Sequence, residues 1–408
     1  MARKNAFSLV AFALFVLLAA NLTSVESIGV CYGMIGDNLP SPSDVVGHYQ
    51  LKGIRAMRIY FPDQDTFNAL KGTGIDLAMD VPNDVLPSLA NDASAAANWV
   101  QNNILAHDGV SFKYIVVGNE LFGDAANDIL PAMSKIWDAL CSAGRCNQIQ
   151  VSTAVSFAVV KNSYPPSSGE FGESFMFPIV NFLKNTGNPL MVSIYPYFSY
   201  VQDQAEIPLD YALFTSTAPQ FSDGPYQYQN LFDAMVDSVY SALEKAGANP
   251  ALEKKAGGNL AVDYSVSLIA VESGWPGSGG NPVGASLAVG ATLSNAQTYN
   301  QNLINHVRNG TPKRPGNLET YIFAMFNENK KEGDEVERHF GLFNPDLTPI
   351  YPLNFNLKHG KVLYCLIFAF AGFLNYRCSS SRTCIQLINC AYYFVMDIST
   401  INKVCLLL

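Results

Sequence analysis

The chain has 408 residues, of which 49% are hydrophobic, enough to bury the core of one large domain or of two smaller ones. Its formal net charge is −9, with 34 Asp and Glu against 25 Lys and Arg. Because binding to nucleic acid depends on clustered Lys and Arg, this balance argues against nucleic acid as a partner.

The first 27 residues have the three-part layout of a secretory signal peptide. Arg3 and Lys4 precede an apolar run from about Phe7 to Ala20, and the small residue Ser27 follows it. A membrane-spanning helix is the alternative, but the apolar run is shorter than the roughly 20 residues that a bilayer requires. We therefore predict a signal peptide over residues 1–27, a secreted protein and no integral membrane span.

Short apolar segments bounded by turn residues recur from residue 28 onward. Segments that are apolar on both faces are typical of strands in a parallel sheet covered by helices. In chain order, the predicted strands are residues 28–33, 56–61, 75–81, 114–120, 149–155, 190–197, 267–273 and 320–326.

Several of the intervening segments space their apolar residues three and four apart, which predicts amphipathic helices. Eight strands that alternate with helices predict an α/β fold, the closed (β/α)₈ TIM barrel, as a single domain over residues 28–357. An open, doubly wound sheet is the alternative. The predicted helices cover residues 93–107, 130–144, 231–247 and 295–310.

The composition changes abruptly after residue 357, and residues 358–408 form an atypical tail to which we assign no domain. Five of the eight cysteines lie in this tail. The other three, Cys31, Cys141 and Cys146, are too few for a disulfide framework in so long a chain. The sequence leaves open whether a local disulfide joins Cys141 and Cys146.

A carboxylate ends the fourth predicted strand, in the segment KYIVVGNELFG (113–123). Glutamate is rarely fully buried, so Glu120 either reaches solvent or is placed for chemistry. In a (β/α)₈ barrel the active site is assembled at the carboxyl ends of the strands. The predicted fold therefore places Glu120 at the mouth of the barrel.

A second carboxylate, Glu272, ends the seventh predicted strand in the segment SLIAVESGWPGSGG (267–280). Cleavage of a glycosidic bond uses two carboxyl groups across a cleft. One protonates the departing oxygen, and the other attacks the anomeric carbon or activates water. The pair therefore predicts a glycoside hydrolase, and two unrelated glutamates are the alternative.

Five sequence blocks in order, IGVCYG, VVGNE, SIYPYF, VESGWP and FAMFNENKK, resemble the motifs of plant endo-1,3-β-glucanases of glycoside hydrolase family 17. The resemblance runs from about Ile28 to about Phe355. It implies a secreted, monomeric (β/α)₈ enzyme of the cell wall or vacuole that hydrolyses internal linkages of β-1,3-glucan with retention of configuration. Callose and fungal wall glucan are such substrates, and the latter would imply a role in plant defence. By the same resemblance, Glu120 is the general acid/base and Glu272 the nucleophile.

The resemblance also implies residues that bind the sugar. Asn119 would contact the sugar beside the scissile bond, and Tyr32 and Tyr195 would line the floor of the cleft. Phe198 and Trp275 would offer aromatic rings to the apolar face of a pyranose. The alternatives are a turn residue for Asn119, core packing for the tyrosines, and for Trp275 a brace behind the loop of the nucleophile.

Glu328 and Lys331 match a pair that the family places beside the catalytic glutamates. A cation there would favour the ionised form of the nucleophile, whereas the alternative is a solvated run of charges. No cofactor and no metal are expected, because the five histidines show no ligand spacing.

Two residues near the nucleophile depart from the family pattern. Val271 precedes it where a small residue is usual, and Gly277 stands where Ser or Thr is usual. Segment 244–271 is also longer than expected and predicts an extra loop. These departures keep two alternatives open: a protein that binds wall glucan after its catalysis has decayed, and a transglycosylase.

Overall fold

The computed structural model describes residues 28–248, 266–279 and 289–355. The predicted signal peptide (1–27) and the atypical tail (358–408) lie outside the described residues. Most of the predicted extra loop, residues 249–265, also lies outside them.

Eight parallel strands close into a barrel, in the order β1-β8-β7-β6-β5-β4-β3-β2. Strand β1 pairs with both β2 and β8, which closes the ring and confirms the predicted TIM barrel over an open sheet. The strands are β1 Ile28–Cys31, β2 Ala56–Ile59, β3 Asp76–Val81, β4 Ser111–Asn119, β5 Gln150–Ser156, β6 Leu190–Ser193, β7 Leu268–Ser273 and β8 Thr320–Ile322.

Each predicted strand is present, but five end earlier than predicted, and the sixth and the eighth do so by four residues. The sixth ends at Ser193 rather than at residue 197, because Pro196 begins the next helix. Proline suits a first helical turn, where its fixed φ fits and its missing N–H is not needed. Strand β8 ends at Ile322 rather than at residue 326, and the chain beyond it forms part of the cleft wall.

Helices surround the barrel between the strands. The prediction for residues 93–107 is met by α4, which continues as a π-helical turn over Gln101–Leu105. The α-helices are α1 Pro42–Lys52, α2 Gln64–Leu70, α3 Leu86–Asn91, α4 Ala93–Val100, α5 Ile129–Ser142, α6 Met176–Thr186, α7 Pro196–Gln202, α8 Leu209–Ala212, α9 Leu231–Leu243 and α10 Leu293–His306.

Helix α5 shows how the sequence covers the sheet. Ile129, Met133, Ile136 and Leu140 recur at intervals of three and four, and all four are buried. Burial of a side chain of this kind stabilises the fold by about 1.5–3 kcal/mol relative to exposure. The apolar stripe therefore fixes which face of the helix meets the barrel.

A disulfide joins Cys141 and Cys146 at the end of α5, which settles the pairing that the sequence left open. The third cysteine of the body, Cys31, is buried and free. Among helices in the described ranges, none has the length and apolar character needed to span a bilayer.

Candidate active site

A cleft of about 610 Å³ opens at the carboxyl ends of the strands. Both predicted catalytic carboxylates lie in it. Its lining comprises Met34, Ile35, Tyr60, Phe61, Asp80, Val81, Pro82, Asn83, Asn119, Glu120, Glu272, Phe323, Glu328, Lys331, Glu332 and Glu337.

Three donors hold the carboxylate of Glu272, which is only 7% exposed. Arg58 Nη1 and the Tyr60 hydroxyl donate to Oε1 at 2.7 and 2.8 Å, and the Tyr195 hydroxyl donates to Oε2 at 2.7 Å. Burial raises the pKa of both tyrosine hydroxyls well above the usual range, so both stay protonated and able to donate. The arrangement fixes the orientation of Glu272 at the end of β7.

Arg58 connects Glu272 to two other strands. Its Nε and Nη2 donate to the Asp80 carboxylate at 3.0 and 2.6 Å, and Nη2 also donates to Asn119 Oδ1 at 2.9 Å. The guanidinium is fully buried. A planar fork of five N–H donors can serve three partners at once, which a lysine ammonium cannot do at these positions.

The backbone around Glu120 has an unusual conformation. Gly118 has φ 86° and Glu120 has φ 52°, so both residues flanking Asn119 lie in the left-handed region. Glycine adopts this region readily, whereas a residue with a side chain does so at a cost. The pairing of β4 with β5 shifts register between Val116 and Asn119, which accompanies this turn of the chain.

Asn83, in the loop after β3, holds the end of β4 in place. Its Oδ1 accepts from the backbone N–H of Asn119, and its Nδ2 donates to the carbonyl of the same residue, both at 2.9 Å. The backbone N–H of Glu120 donates to the Ala154 carbonyl at 2.9 Å. The strand end that carries Glu120 is thereby fixed from both sides.

Glu120 has the character expected of a general acid. Burial by the cleft walls raises the pKa of its carboxyl, and the negative charge of Glu272 raises it further, while Ser193 and Arg58 act in the opposite direction. The side chain is nevertheless exposed to the open cleft, where solvent screens such interactions. A raised pKa keeps a larger fraction of the carboxyl protonated and able to donate.

Glu328 and Lys331 both line the cleft, but the cation that contacts the nucleophile candidate is Arg58. Lys331 Nζ instead pairs with Glu337 Oε2 at 3.2 Å and lies 4.3 Å from the Phe323 ring centroid. Glu328 is buried and accepts from the Ile35 N–H at 2.9 Å. Burial raises the pKa of the Glu328 carboxyl, against the lowering effect of that bond and of Lys331.

The aromatic candidates divide into two groups. The Tyr195 hydroxyl donates a hydrogen bond to Glu272, and the Phe198 ring packs edge-on against the Tyr195 ring with centroids 5.4 Å apart. Tyr195 and Phe198 are both half-buried. Tyr32 and Trp275 are buried in the core, at 2% and 0% exposure, so neither ring is available to a sugar in this geometry. The prediction that these two rings contact the substrate is therefore corrected.

Trp275 has the alternative role considered from the sequence. Its Nε1 donates to the Gly290 carbonyl at 2.8 Å, and its ring packs on Tyr197 with centroids 5.0 Å apart. These contacts brace the loop that follows Glu272. Tyr32 packs edge-on against Phe326, with centroids 6.1 Å apart, which is the core packing considered as its alternative.

Sequence reasoning missed Arg58, Tyr60, Asp80 and Asn83. A signal was present, because Arg58 and Asp80 are charged residues inside segments that otherwise form buried strands. A buried charge requires a partner, so the two could have been paired on adjacent strands. Their link to Glu272 crosses the barrel and was not accessible from spacing alone.

Within the described part of the chain, no group of three or more His, Cys, Asp or Glu side chains is arranged to hold a metal ion.

Two carboxyl groups in one cleft at the mouth of a (β/α)₈ barrel are the arrangement that glycoside hydrolases use. The family model described as "Glycosyl hydrolases family 17" matches residues 28–355, and the chain belongs to that family.

Relatives and a solved structure agree with this assignment. The acidic isoform of glucan endo-1,3-beta-glucosidase from Zea mays is 54% identical over 339 residues, which is 83% of this chain and 94% of that protein. A glucan endo-1,3-beta-glucosidase from Vitis vinifera is 48% identical over 365 residues, 87% of this chain and 99% of that protein. One solved structure, from a report on "two plant beta-glucan endohydrolases with distinct substrate specificities", has a TM-score of 0.73 and 46% identity, and the match covers 80% of this chain and all of that one.

Proposed function

We propose that the protein is a secreted enzyme that hydrolyses internal 1,3-β-glucosidic linkages of β-glucans with retention of configuration. Glu120 protonates the departing oxygen, and Glu272 attacks the anomeric carbon to form a glycosyl-enzyme intermediate. Glu120 then removes a proton from the water that releases the sugar. The names of the relatives support the linkage, and the leader-like sequence together with the Cys141–Cys146 disulfide supports secretion.

The observation that carries the catalytic roles is the contrast between the two carboxyl groups. Glu272 accepts three hydrogen bonds from Arg58, Tyr60 and Tyr195, an arrangement suited to an anion that attacks. Glu120 has a raised pKa, and among the described residues it has no comparable set of hydrogen-bond donors, which suits an acid. Two carboxyl groups in environments that differ in this way divide into acid and nucleophile.

The intact network also favours an enzyme over a binding protein with decayed catalysis. Val271, one of the two departures from the family pattern, is buried, and its backbone carbonyl accepts from Arg58 Nη1 at 3.4 Å. Gly277, the other, is packed closely enough that an added Cβ would lie 2.9 Å from Leu293 Cδ2. Neither departure removes a partner of Glu272.

The decisive experiment measures reducing ends released from linear β-1,3-glucan, with the configuration of the first product followed by proton NMR. We expect steady release and a β-configured product. If no reducing ends are released, the alternative of a glucan-binding protein is favoured. If they are released slowly and longer products form, the transglycosylase is favoured. An α-configured first product would overturn retention and the role of Glu272.

A further inference from the structure

One polar side chain beside the two carboxyl groups has no part in the chemistry proposed above. Ser193 is the last residue of β6 and is only 2% exposed. Within the described part of the chain, its hydroxyl is one of the few buried side-chain groups that make no well-formed hydrogen bond. A buried hydroxyl without a partner destabilises a fold, so its position calls for an explanation.

The pairing of the strands places Ser193 among the residues that hold both carboxyl groups. On one side, Ser193 is paired with Glu272 of β7. On the other side, it is paired with Ser156 of β5. Strand β5 also accepts the backbone N–H of Glu120, at the Ala154 carbonyl and at 2.9 Å. Ser193 therefore lies between the strand that carries Glu272 and the strand that holds the backbone of Glu120.

The Ser193 hydroxyl acts on the Glu120 carboxyl. It lies close enough to serve as a hydrogen-bond donor, which favours the ionised form and lowers the pKa of Glu120. The contact is not a well-aligned hydrogen bond in this geometry, so the hydroxyl is left without a complete partner. A hydroxyl rotates to suit its neighbours, and an ionised carboxylate accepts at both oxygens, whereas a protonated carboxyl has less accepting capacity. The missing bond can therefore form when Glu120 is ionised.

The other groups around Glu120 do not supply such a donor. The charged and titratable ones are Glu272, Arg58, Glu337 and Tyr195. Glu272 and Glu337 are acids, and their negative charges raise the pKa of Glu120. Arg58 lowers that pKa through its charge, but its N–H groups donate to other partners. The Tyr195 hydroxyl donates to Glu272. Among the described groups that act on Glu120, Ser193 is thus the donor without another partner.

We infer that Ser193 is a positioning residue for Glu120 in the second step of the reaction. Once Glu120 has given its proton to the departing oxygen, the Ser193 hydroxyl donates to the remaining carboxylate and orients it as the base. When Glu120 takes a proton from the attacking water, this hydrogen bond opens again, and Ser193 keeps its own proton throughout. The inference rests on the proposed function, because it assumes that Glu120 is the acid/base of a retaining mechanism.

The test follows the pH dependence of kcat/KM on linear β-1,3-glucan in the wild type and in Ser193→Ala. Loss of a donor that favours the carboxylate raises the pKa of Glu120, so the basic limb should move to higher pH by about one pH unit. Ser193→Cys nearly keeps the shape and replaces a strong donor with a weak one. It should move the limb in the same direction, and it gives the same reading if the alanine variant does not fold. Ser238→Ala is the matched control and should leave the limb in place, because Ser238 is buried on α9 and its hydroxyl donates to the Met235 carbonyl at 2.7 Å.

A second measurement isolates the step in which Glu120 acts as the base. An activated aryl β-glycoside of a 1,3-linked glucose disaccharide releases a burst of aryl alcohol as the glycosyl-enzyme forms, and the steady rate then reports its hydrolysis. Ser193→Ala should keep the burst rate within about twofold of the wild type. Its steady rate should fall about tenfold on the acidic side of the profile, where one pH unit changes the ionised fraction of Glu120 by about that factor. Azide attacks without the help of a base and should restore the steady rate.

Two kinds of result would overturn the inference. A basic limb that stays in place in both Ser193 variants, with kcat/KM unchanged or lowered equally at every pH, would mean that Ser193 serves packing alone. A burst rate that falls as much as the steady rate would mean that Ser193 is not specific to the second step. If the wild type releases no reducing ends from linear β-1,3-glucan, or gives an α-configured first product, the proposed function fails and this inference fails with it. If the wild type meets both expectations and the limb does not move, the role of Ser193 alone is wrong.

Discussion

A single guanidinium, that of Arg58, links three strands at the mouth of the barrel. Arg58 contacts Glu272 on β7, Asp80 on β3 and Asn119, which precedes Glu120, on β4. Burial makes each of these contacts stronger than it would be in water, and it also makes the loss of any one costly. Arg58 is therefore a positioning residue for both carboxyl groups.

Arg58→Lys should lower kcat by about 100-fold, because an ammonium cannot hold Glu272, Asp80 and Asn119 together and small displacements of reacting groups carry such penalties. KM should change much less. Steady-state kinetics on linear β-1,3-glucan provide the measurement. Arg308→Lys, the same change at an exposed site outside the cleft, is the control. An unchanged kcat in Arg58→Lys would show that positive charge alone is required.

The raised pKa of Glu120 predicts the basic limb of the pH profile. The acid must carry its proton to protonate the leaving oxygen, so kcat/KM should fall as the pH rises through the pKa of Glu120. That fall should occur above the value of about 4.3 for an unperturbed glutamate. In Glu120→Gln the limb should vanish for activated aryl substrates, which need little protonation, and poor leaving groups should be cleaved far more slowly. Glu332→Gln, which changes another glutamate of the cleft, is the control and should retain the basic limb of the pH profile. A basic limb that persists in Glu120→Gln would show that a group other than Glu120 causes it.

At the scale of elements, the loop after β3 supports the end of β4. Asn83→Ala removes both hydrogen bonds to the Asn119 backbone, and we expect kcat to fall about tenfold. The free energy of unfolding should fall by only about 1–2 kcal/mol, since Asn83 is exposed and water can replace part of what is lost. Urea unfolding and kinetics on the same preparations separate the two effects. Asp84→Ala, at the exposed neighbouring position, should change neither kcat nor the free energy of unfolding. Equal kcat values in Asn83→Ala and the wild type would show that the hydrogen bonds from Asn83 do not contribute to catalysis.

The elements themselves were largely predictable from the sequence. The eight strands were found because each is a short run that is apolar on both faces, and this pattern depends only on local burial. Their ends were less predictable: β6 stops at Ser193 because Pro196 favours a helix, although Ile194 and Tyr195 would suit a strand.

The site was predictable only in part, for a related reason. Glu120 and Glu272 stand at strand ends, where the topology of a barrel brings them to one mouth. Arg58 and Asp80 stand within strands, and whether such a residue points into the barrel depends on register, which is set by all eight strands together. Trp275 was misplaced because an aromatic residue beside a catalytic group suits a binding surface and a core equally well.

At the scale of the whole molecule, the family match ends at residue 355. We predict that a protein ending at Leu357 has the activity of the full chain and is more soluble, because residues 358–408 add five cysteines and a long apolar stretch. Specific activity and the soluble fraction after expression are the measurements. A truncated protein that remains folded by circular dichroism but loses most of its activity would assign the tail to the enzyme.

The left-handed backbone at Glu120 has a consequence for how this fold tolerates change. A side chain in that region costs about 1–2 kcal/mol that glycine does not incur, and glycine loses roughly 0.5–1 kcal/mol more than other residues in chain entropy on folding. Glu120→Gly also removes a negative charge near Glu272. The inactive variant should therefore be at least as resistant to heat as the active protein. Selection for stability alone would not retain a glutamate at position 120. Its retention in proteins that descend from this one would therefore indicate that catalysis is still under selection.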